Sequence, residues 1–252
     1  MKIRFLGTGT STGVPVIGCR CEVCRSDDRH DKRLRCSVQI ESANTNIIID
    51  CTPDFRQQML QVPFQKIDGV LITHEHFDHV GGIEELRSYA RFGAVDIYAE
   101  RNVEFALQNR LSYIFNNHKF LGIPDVRIIP IDSQHTFRVK NLEITPIRVM
   151  HYRLPILGFR INNFAYLTDV KYVPDEELKK LTDLDVLVVS ALRNETHLSH
   201  QTLEEAAELA NRIAPQKTYF THMSHEMGLH RNITKDLPAD FAFAFDGLEI
   251  EI

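Results

Sequence analysis

The sequence lacks the features that mark membrane proteins and nucleic-acid-binding proteins. No apolar run in its 252 residues approaches the roughly 18 residues of a membrane helix. The net charge is −5 and no long basic run is present, which weighs against a nucleic-acid partner. The first residues, Lys2 to Leu6, are typical of a strand and not of a signal peptide. We therefore expect a cytoplasmic protein with no membrane partner.

Linkers rich in proline, glycine or serine, internal repeats and low-complexity tracts are also missing. The apolar content of 43% is enough for a sizeable core. A chain of this length is commonly one domain. We therefore expect a single domain over residues 1–252.

Cysteines are few, five in all, and in a cytoplasmic protein they are more typical of metal ligands or core thiols than of disulfides. Cys19, Cys21 and Cys24 crowd into six residues of a polar loop. Thiolates so close repel one another unless a cation joins them, and zinc accepts three sulfurs and one nitrogen. The alternative is a set of free thiols. Cys36 and Cys51 adjoin apolar runs, and we expect both to be buried.

Strand-like and helix-like segments alternate along the chain, which indicates an α/β fold. Two packed sheets with outer helices fit this alternation, and so does an open α/β sheet. Strands are predicted at 3–6, 37–41, 46–49, 70–73, 96–99, 127–131, 142–149, 158–161, 165–168, 186–190, 218–221 and 248–250. Helices are predicted at 54–61, 82–91, 103–111, 175–181 and 202–213, the last with Thr202 as its N-cap.

The segment from Thr73 to His79 carries three imidazoles and a carboxylate directly after an apolar run. Side chains two apart in an extended segment project to the same side, so His74 and His76 can hold one metal ion. Asp78 and His79 follow a bend and are predicted to face a second ion. The alternative is a polar turn with surface histidines.

Three more polar residues close apolar runs, at positions where a layered fold exposes ligands. His151, Asp169 and His222 each stand there, and each alone would be an ordinary strand-terminal residue. Together they complete two sets, with Asp169 able to bridge both ions. The predicted sets are His74, His76 and His151 for one metal, and Asp78, His79 and His222 for the other.

In their order along the chain, these residues resemble the metal ligands of the metallo-β-lactamase superfamily of dinuclear hydrolases. The resemblance implies an αβ/βα four-layer sandwich, two mixed β-sheets flanked by helices, with the metals at one edge. More narrowly, the chain is similar to the PhnP-like phosphoribosyl cyclic phosphate phosphodiesterases. That similarity rests on Gly7–Thr10, Gly13–Pro15, Gly18–Cys24, Thr221–His225, Asp246-Gly247 and His197. The segment Asp50–Gln58 is also similar to pyrroloquinoline quinone biosynthesis protein B.

The resemblance assigns further roles. It makes His225 the fourth ligand of a structural zinc with the three clustered cysteines, in a loop near residues 18–36. It makes Asp50 a support for the metal ligands, although a turn-forming aspartate is equally compatible with the residues alone. It brings His197 to the scissile phosphate, with His200 as a rival for that role.

The expected function is hydrolysis of a small or cyclic phosphate ester by a hydroxide that bridges two divalent metals. Asp78 is a candidate both for a metal ligand, which we favour, and for a catalytic partner of that hydroxide. Zinc, manganese and iron all suit imidazole and carboxylate ligands. The alternatives are a thioester or lactone hydrolase, or a non-enzymatic accessory protein like the quinone-biosynthesis relative. Specificity is expected to lie in 103–124 and 152–157. The sequence leaves the oligomeric state open, with a homodimer among the options.

Overall fold

The computed structural model describes residues 1–115, 122–235 and 237–252, which form two β-sheets of seven strands each. The strands are β1 (Lys2–Gly7), β2 (Ser37–Ser42), β3 (Thr45–Ile49), β4 (Gly69–Leu71), β5 (Val95–Ala99), β6 (Val126–Pro130), β7 (Phe137–Val139), β8 (Leu142–His151), β9 (Leu154–Ile161), β10 (Phe164–Leu167), β11 (Val186–Ser190), β12 (Lys217–Thr221), β13 (Phe241–Phe243) and β14 (Glu249–Glu251).

Both sheets are mixed. The first has the order β14-β1-β2-β3-β4-β5-β6, antiparallel up to β3 and parallel from β3 to β6. The second has the order β13-β12-β11-β10-β9-β8-β7, parallel from β13 to β10 and antiparallel from there to β7. This topology confirms the predicted pair of mixed sheets and excludes one open sheet.

Helices flank the sheets. The α-helices are α1 (Glu22–Arg25), α2 (Phe55–Met59), α3 (Phe77–Val80), α4 (Arg101–Arg110), α5 (Ser112–Phe115), α6 (Asp175–Leu178), α7 (Leu203–Ile213) and α8 (His230–Ile233). A ten-residue 3₁₀ helix covers Ile83–Phe92, and three-residue 3₁₀ segments cover Arg29–Asp31, Lys179–Leu181 and His225–Met227. None of the helices in the described ranges is long and apolar enough to cross a membrane.

Three buried apolar clusters account for the layers. The central cluster joins Phe5 and Ile47 of the first sheet to Phe159 of the second. An outer cluster covers the first sheet with residues such as Leu86, and another covers the second sheet with the inner face of α7, including Leu209. Burial of apolar surface on both faces of each sheet therefore gives the four-layer sandwich.

The longer elements were predicted more accurately than the short ones. Helix α7 begins at the predicted N-cap, because Thr202 accepts from the Glu205 backbone N–H and Glu205 accepts from the Thr202 backbone N–H. The helix predicted at 82–91 is instead a 3₁₀ helix, and the strand predicted at 70–73 ends at Leu71. Elements of three or four residues, such as β7, span too few residues for a periodic pattern.

Candidate metal centre

The predicted ligands lie where strands of the two sheets end. The loop 74–79 comes after β4, His151 closes β8, Asp169 follows β10 and His222 follows β12. Asp169 and His222 have left-handed backbones with φ of 56° and 58°, and so does Asp50 after β3 with φ of 64°. Non-glycine residues seldom adopt this conformation, which costs about 1 kcal/mol or more and is typically kept at functional sites.

His74, His76 and His151 form the first candidate ligand group, with their ring nitrogens within 4.8 Å of one another. The Nε2 atom of His74 lies 3.0 Å from Nδ1 of His76. The opposite nitrogens are engaged elsewhere, because His74 Nδ1 contacts the Thr73 hydroxyl at 3.0 Å and His151 Nδ1 donates to the Ser199 carbonyl at 3.0 Å. Such contacts fix ring orientation and leave Nε2 facing the group.

Asp78, His79, Asp169 and His222 form the second group. His79 Nε2 lies 3.1 Å from an oxygen of Asp78 and 3.2 Å from Oδ2 of Asp169. The other oxygen of Asp169 lies 3.2 Å from Nε2 of His222, and Asp78 reaches His222 at 4.0 Å. Atoms that coordinate one ion at about 2.1 Å lie roughly 3.0–3.4 Å apart, so this spacing suits a divalent cation.

Asp50 stands behind the second group and touches its histidine. His79 Nδ1 donates to Asp50 Oδ2 at 2.7 Å, and the Thr73 backbone N–H and hydroxyl donate to the same carboxylate at 2.9 Å each. Asp50 thus holds His79 in the tautomer that directs Nε2 toward Asp78 and Asp169. This contact is what a supporting carboxylate does for a metal-binding imidazole.

The electrostatics of the two groups differ. Burial lowers the pKa of His74, which keeps the imidazole neutral as metal binding requires. Burial also disfavours charge on His79, but Asp169, Asp50 and Asp78 outweigh it and raise the pKa of that ring. For Asp169, burial is outweighed by His222 and His79, and the pKa of its carboxyl falls. The second group therefore concentrates negative charge, which attracts a cation.

Orphaned polar atoms test whether a metal fits. Nε2 of His79, both ring nitrogens of His222 and Nδ1 of His200 are buried without a hydrogen-bond partner within the described ranges. Buried polar atoms seldom lack a partner, and here carboxylate oxygens lie 3.1–3.2 Å from Nε2 of His79 and Nε2 of His222 without hydrogen-bond geometry. Nitrogen and oxygen atoms that converge without bonding one another fit a divalent metal such as zinc, manganese or iron.

The two candidate acid histidines differ in position. The ring of His200 lies 4.6 Å from that of His151, and its Nδ1 lies 3.7 Å from an oxygen of Asp169. His197 lies farther out, 5.0 Å from the His200 ring, and its Nδ1 accepts from the Ser199 backbone N–H at 3.3 Å. His200 is therefore the histidine that adjoins both ligand groups.

The clustered cysteines meet His225 as the resemblance implied. Their sulfurs and a ring nitrogen of His225 all lie within 4.8 Å of one another, and all five cysteines are free. Cys21 Sγ and Cys19 Sγ lie 3.3 and 3.7 Å from His225 Nδ1. Cys21 Sγ also accepts from the Cys24 backbone N–H at the start of α1. The set has the composition of a closed tetrahedral zinc site.

Cys36 is buried, as predicted, but its position at the metal centre was missed. Its sulfur lies within 4.8 Å of ligand atoms of His79, Asp169 and His222. It also contacts the Thr168 hydroxyl at 3.1 Å, and that hydroxyl donates to Asp169 at 2.7 Å. Cys36 is 43 positions from His79 and more than a hundred from Thr168, Asp169 and His222, so local sequence carried no signal for this contact.

Two histidines outside the candidate site stack on each other. His30 and His230 are half-buried, with ring centroids 5.0 Å apart. The His230 backbone N–H donates to Asp31, and the Arg33 guanidinium contacts Nδ1 of the His230 ring. His118 lies outside the described residues, as does part of the predicted specificity segment 103–124.

Comparisons with known proteins agree with this geometry. The β-lactamase superfamily domain matches residues 45–223. A diphosphatase of the PhnP family superposes with a TM-score of 0.93 at 36% identity, covering 100% of this chain and 97% of that one. The zinc-bound quinone-biosynthesis protein PqqB of Methylobacterium extorquens has a TM-score of 0.78 at 18% identity and covers both chains fully, which supports the fold alone.

A curated octanoyltransferase of Porphyromonas gingivalis W83 is 43% identical over 99% of this chain. The chain spans about half of that relative, 51% of its length. The family match and the PhnP-family structure both agree with the two-sheet fold and the clustered ligands. The chain therefore belongs to the β-lactamase superfamily and has a metallo-β-lactamase fold close to that of the PhnP family.

Proposed function

We propose that the protein is a metal-dependent phosphodiesterase acting on a small phosphate ester, including cyclic esters and diphosphates. The observation that carries the proposal is the meeting of two ligand groups at one rim, with orphaned nitrogens on His79 and His222. A diphosphatase among the relatives supports phosphorus rather than carbon as the centre attacked.

Two divalent ions would be held by the groups that contain His74 and His79, with Asp169 reaching both. Asp169 also groups with His151 and His200 within 4.8 Å, which supports a bridging position. Bound there, the metals would polarise a phosphoryl oxygen and lower the pKa of water to about 7. A third ion, a structural zinc, would be held by the three cysteines and His225.

The chain's own residues supply orientation and hydrogen bonds. Asp50 fixes the ring of His79, and Thr168 fixes one oxygen of Asp169. We assign the contact with the ester oxygen to His200, since it adjoins both groups and His197 does not. Burial lowers the pKa of His200 to about 3, so the ring would act as a neutral N–H donor to the substrate.

An acyl-hydrolase function is the second candidate, favoured by the octanoyltransferase relative. A hydrolysis panel separates the two. The metal-loaded protein would be assayed with bis(p-nitrophenyl) phosphate, a cyclic nucleotide, a nucleoside diphosphate ester, an octanoyl thioester and a lactone, each with zinc and with manganese. We expect metal-dependent cleavage of the phosphate esters. Cleavage of the thioester or lactone alone would overturn the phosphodiesterase proposal, and cleavage of none would favour an accessory role.

A further inference from the structure

The two cysteines outside the zinc cluster are equally buried but have different neighbours. Cys36 is 1% exposed and Cys51 is 0% exposed. Cys51 packs in the apolar cluster that covers the first sheet, whereas Cys36 belongs to none of the apolar clusters within the described ranges. Its sulfur instead lies within 4.8 Å of ligand atoms of His79, Asp169 and His222. These neighbours are polar, which a thiol that only fills the core would not need.

A hydrogen-bond chain leads from this thiol to the carboxylate of Asp169. Cys36 precedes β2 of the first sheet and Thr168 follows β10 of the second, so their contact at 3.1 Å joins the two sheets. The Thr168 hydroxyl donates to Oδ2 of Asp169 at 2.7 Å, and the same oxygen lies 3.2 Å from Nε2 of His79. Two hydrogen bonds thus connect Cys36 to the oxygen that faces the second ligand group.

The direction of both hydrogen bonds follows from the protons available. A hydroxyl has one proton and an ionised carboxylate can only accept, so Thr168 gives its proton to Asp169. In the contact between Cys36 and Thr168, the thiol is therefore the donor. Its donation occupies a lone pair of the hydroxyl and keeps the hydroxyl proton directed at Asp169. Hydrogen bonds arranged in such a chain strengthen one another.

We propose that Cys36 is a positioning residue of the metal centre, which acts through Thr168 to hold Oδ2 of Asp169 toward the second ion. This inference rests on the proposed metal-dependent function, but it concerns ion binding and is tested without hydrolysis. Residues bonded directly to a metal ligand typically contribute roughly 10- to 100-fold to metal affinity. Cys36 is one hydrogen bond farther away, so its loss should weaken the second ion by roughly three- to tenfold.

The test is a double-mutant cycle measured by zinc affinity. Cys36→Ser keeps a donor of similar size, Cys36→Ala removes it, and Thr168→Val removes the hydroxyl in the middle of the chain. Cys51→Ala is the matched control, because its thiol is equally buried but packs among apolar side chains. The clustered cysteines keep their zinc throughout, and competition with a fluorescent chelator measures the catalytic ions.

We expect Cys36→Ala to weaken the second ion roughly three- to tenfold, Cys36→Ser to restore most of that loss, and Cys51→Ala to change nothing. Thr168→Val should weaken the same ion more strongly, because it removes the direct bond to Asp169. In the Thr168→Val background, Cys36→Ala should then have little further effect, since the two residues act in series.

Four results would overturn the inference. Unchanged zinc affinity in Cys36→Ala, with thermal stability lowered as in Cys51→Ala, would make Cys36 a core thiol. Additive losses in the double variant would show that the thiol does not act through Thr168. A sulfur-to-cobalt charge-transfer band, present with cobalt in the catalytic pair and absent in Cys36→Ser, would make the sulfur a ligand instead. A wild-type protein that binds no ion beyond the structural zinc would reject both the inference and the proposed function.

The inference and the proposed function can also fail separately. If the zinc affinities follow the expected pattern while no phosphate ester is cleaved, the role of Cys36 stands and the phosphodiesterase proposal fails. If phosphate esters are cleaved while Cys36→Ala binds zinc like the wild type, the phosphodiesterase proposal stands and the role of Cys36 fails.

Discussion

Replacing Asp50 with asparagine tests whether this residue orients a metal ligand. Its carboxylate accepts three hydrogen bonds, from His79 Nδ1 and from the backbone N–H and hydroxyl of Thr73. An amide of the same shape has only one acceptor oxygen, and its NH₂ group would face donors. Asp50→Asn should therefore release or flip the ring of His79 without removing any metal ligand.

The expected loss of metal affinity follows from what residues hydrogen-bonded to a metal ligand usually contribute. Their loss typically costs 10- to 100-fold in metal affinity, which corresponds to about 1.4–2.7 kcal/mol. The loss should fall on the second ligand group, because His79 belongs to it and His74 does not contact Asp50 in the described hydrogen-bond network. We therefore expect binding of the ion in the second group to weaken and binding of the ion in the first group to change little.

Competition with a fluorescent chelator would measure the affinity of each of the two catalytic metal sites for zinc. Asp68→Asn is the matched control, because Asp68 is also a buried carboxylate but lies at the opposite end of β4, where it pairs with Lys140. Unchanged zinc affinities in Asp50→Asn, or an equal loss in Asp68→Asn, would refute the assigned role.

Three further predictions concern other parts of the chain. Cys21→Ser should lower the calorimetric unfolding temperature while elemental analysis still finds the catalytic pair; lost activity at unchanged stability would reject a structural site. His200→Ala should slow phosphodiester hydrolysis by roughly 10²-fold or more, and His197→Ala should slow it by less than about tenfold. The reverse order would assign the contact with the ester oxygen to His197 instead. Burial raises the pKa of Asp246 to about 6, so its contribution to stability should be lost as pH rises from about 4 to 6. Asp246→Asn should remove this pH dependence of the free energy of unfolding, measured by denaturant titration at each pH. A variant with the same pH dependence as the wild type would contradict the prediction.

The sequence predicted the long, regular elements because their patterns repeat. Strand β8 and helix α7 each bury one face over ten or more residues, which gives a clear period. The meeting of His74, His76 and His151 could be anticipated because each follows or closes an apolar run. The choice between two facing sheets and one open sheet came from the resemblance, since strand alternation alone is the same in both.

Other features depend on tertiary packing and left no local signal. Cys36 reaches the metal centre only because β2 and β10 bring it beside Thr168. The stacking of His30 on His230 joins segments two hundred residues apart. His197 and His200 lie three apart in an irregular loop, where spacing does not define direction, so only the structure distinguishes their distances to Asp169.

Titrating the protein, stripped only of its catalytic metals, with zinc or manganese while following phosphodiester hydrolysis tests the central claim most directly. With the structural zinc retained, the rate should rise as two further ions bind and reach its maximum at two equivalents. Asp169→Asn should bind at least one ion fewer and lose hydrolysis, because it removes the charge shared by both groups. Full activity with one ion or none, or full activity in Asp169→Asn, would contradict a dinuclear centre.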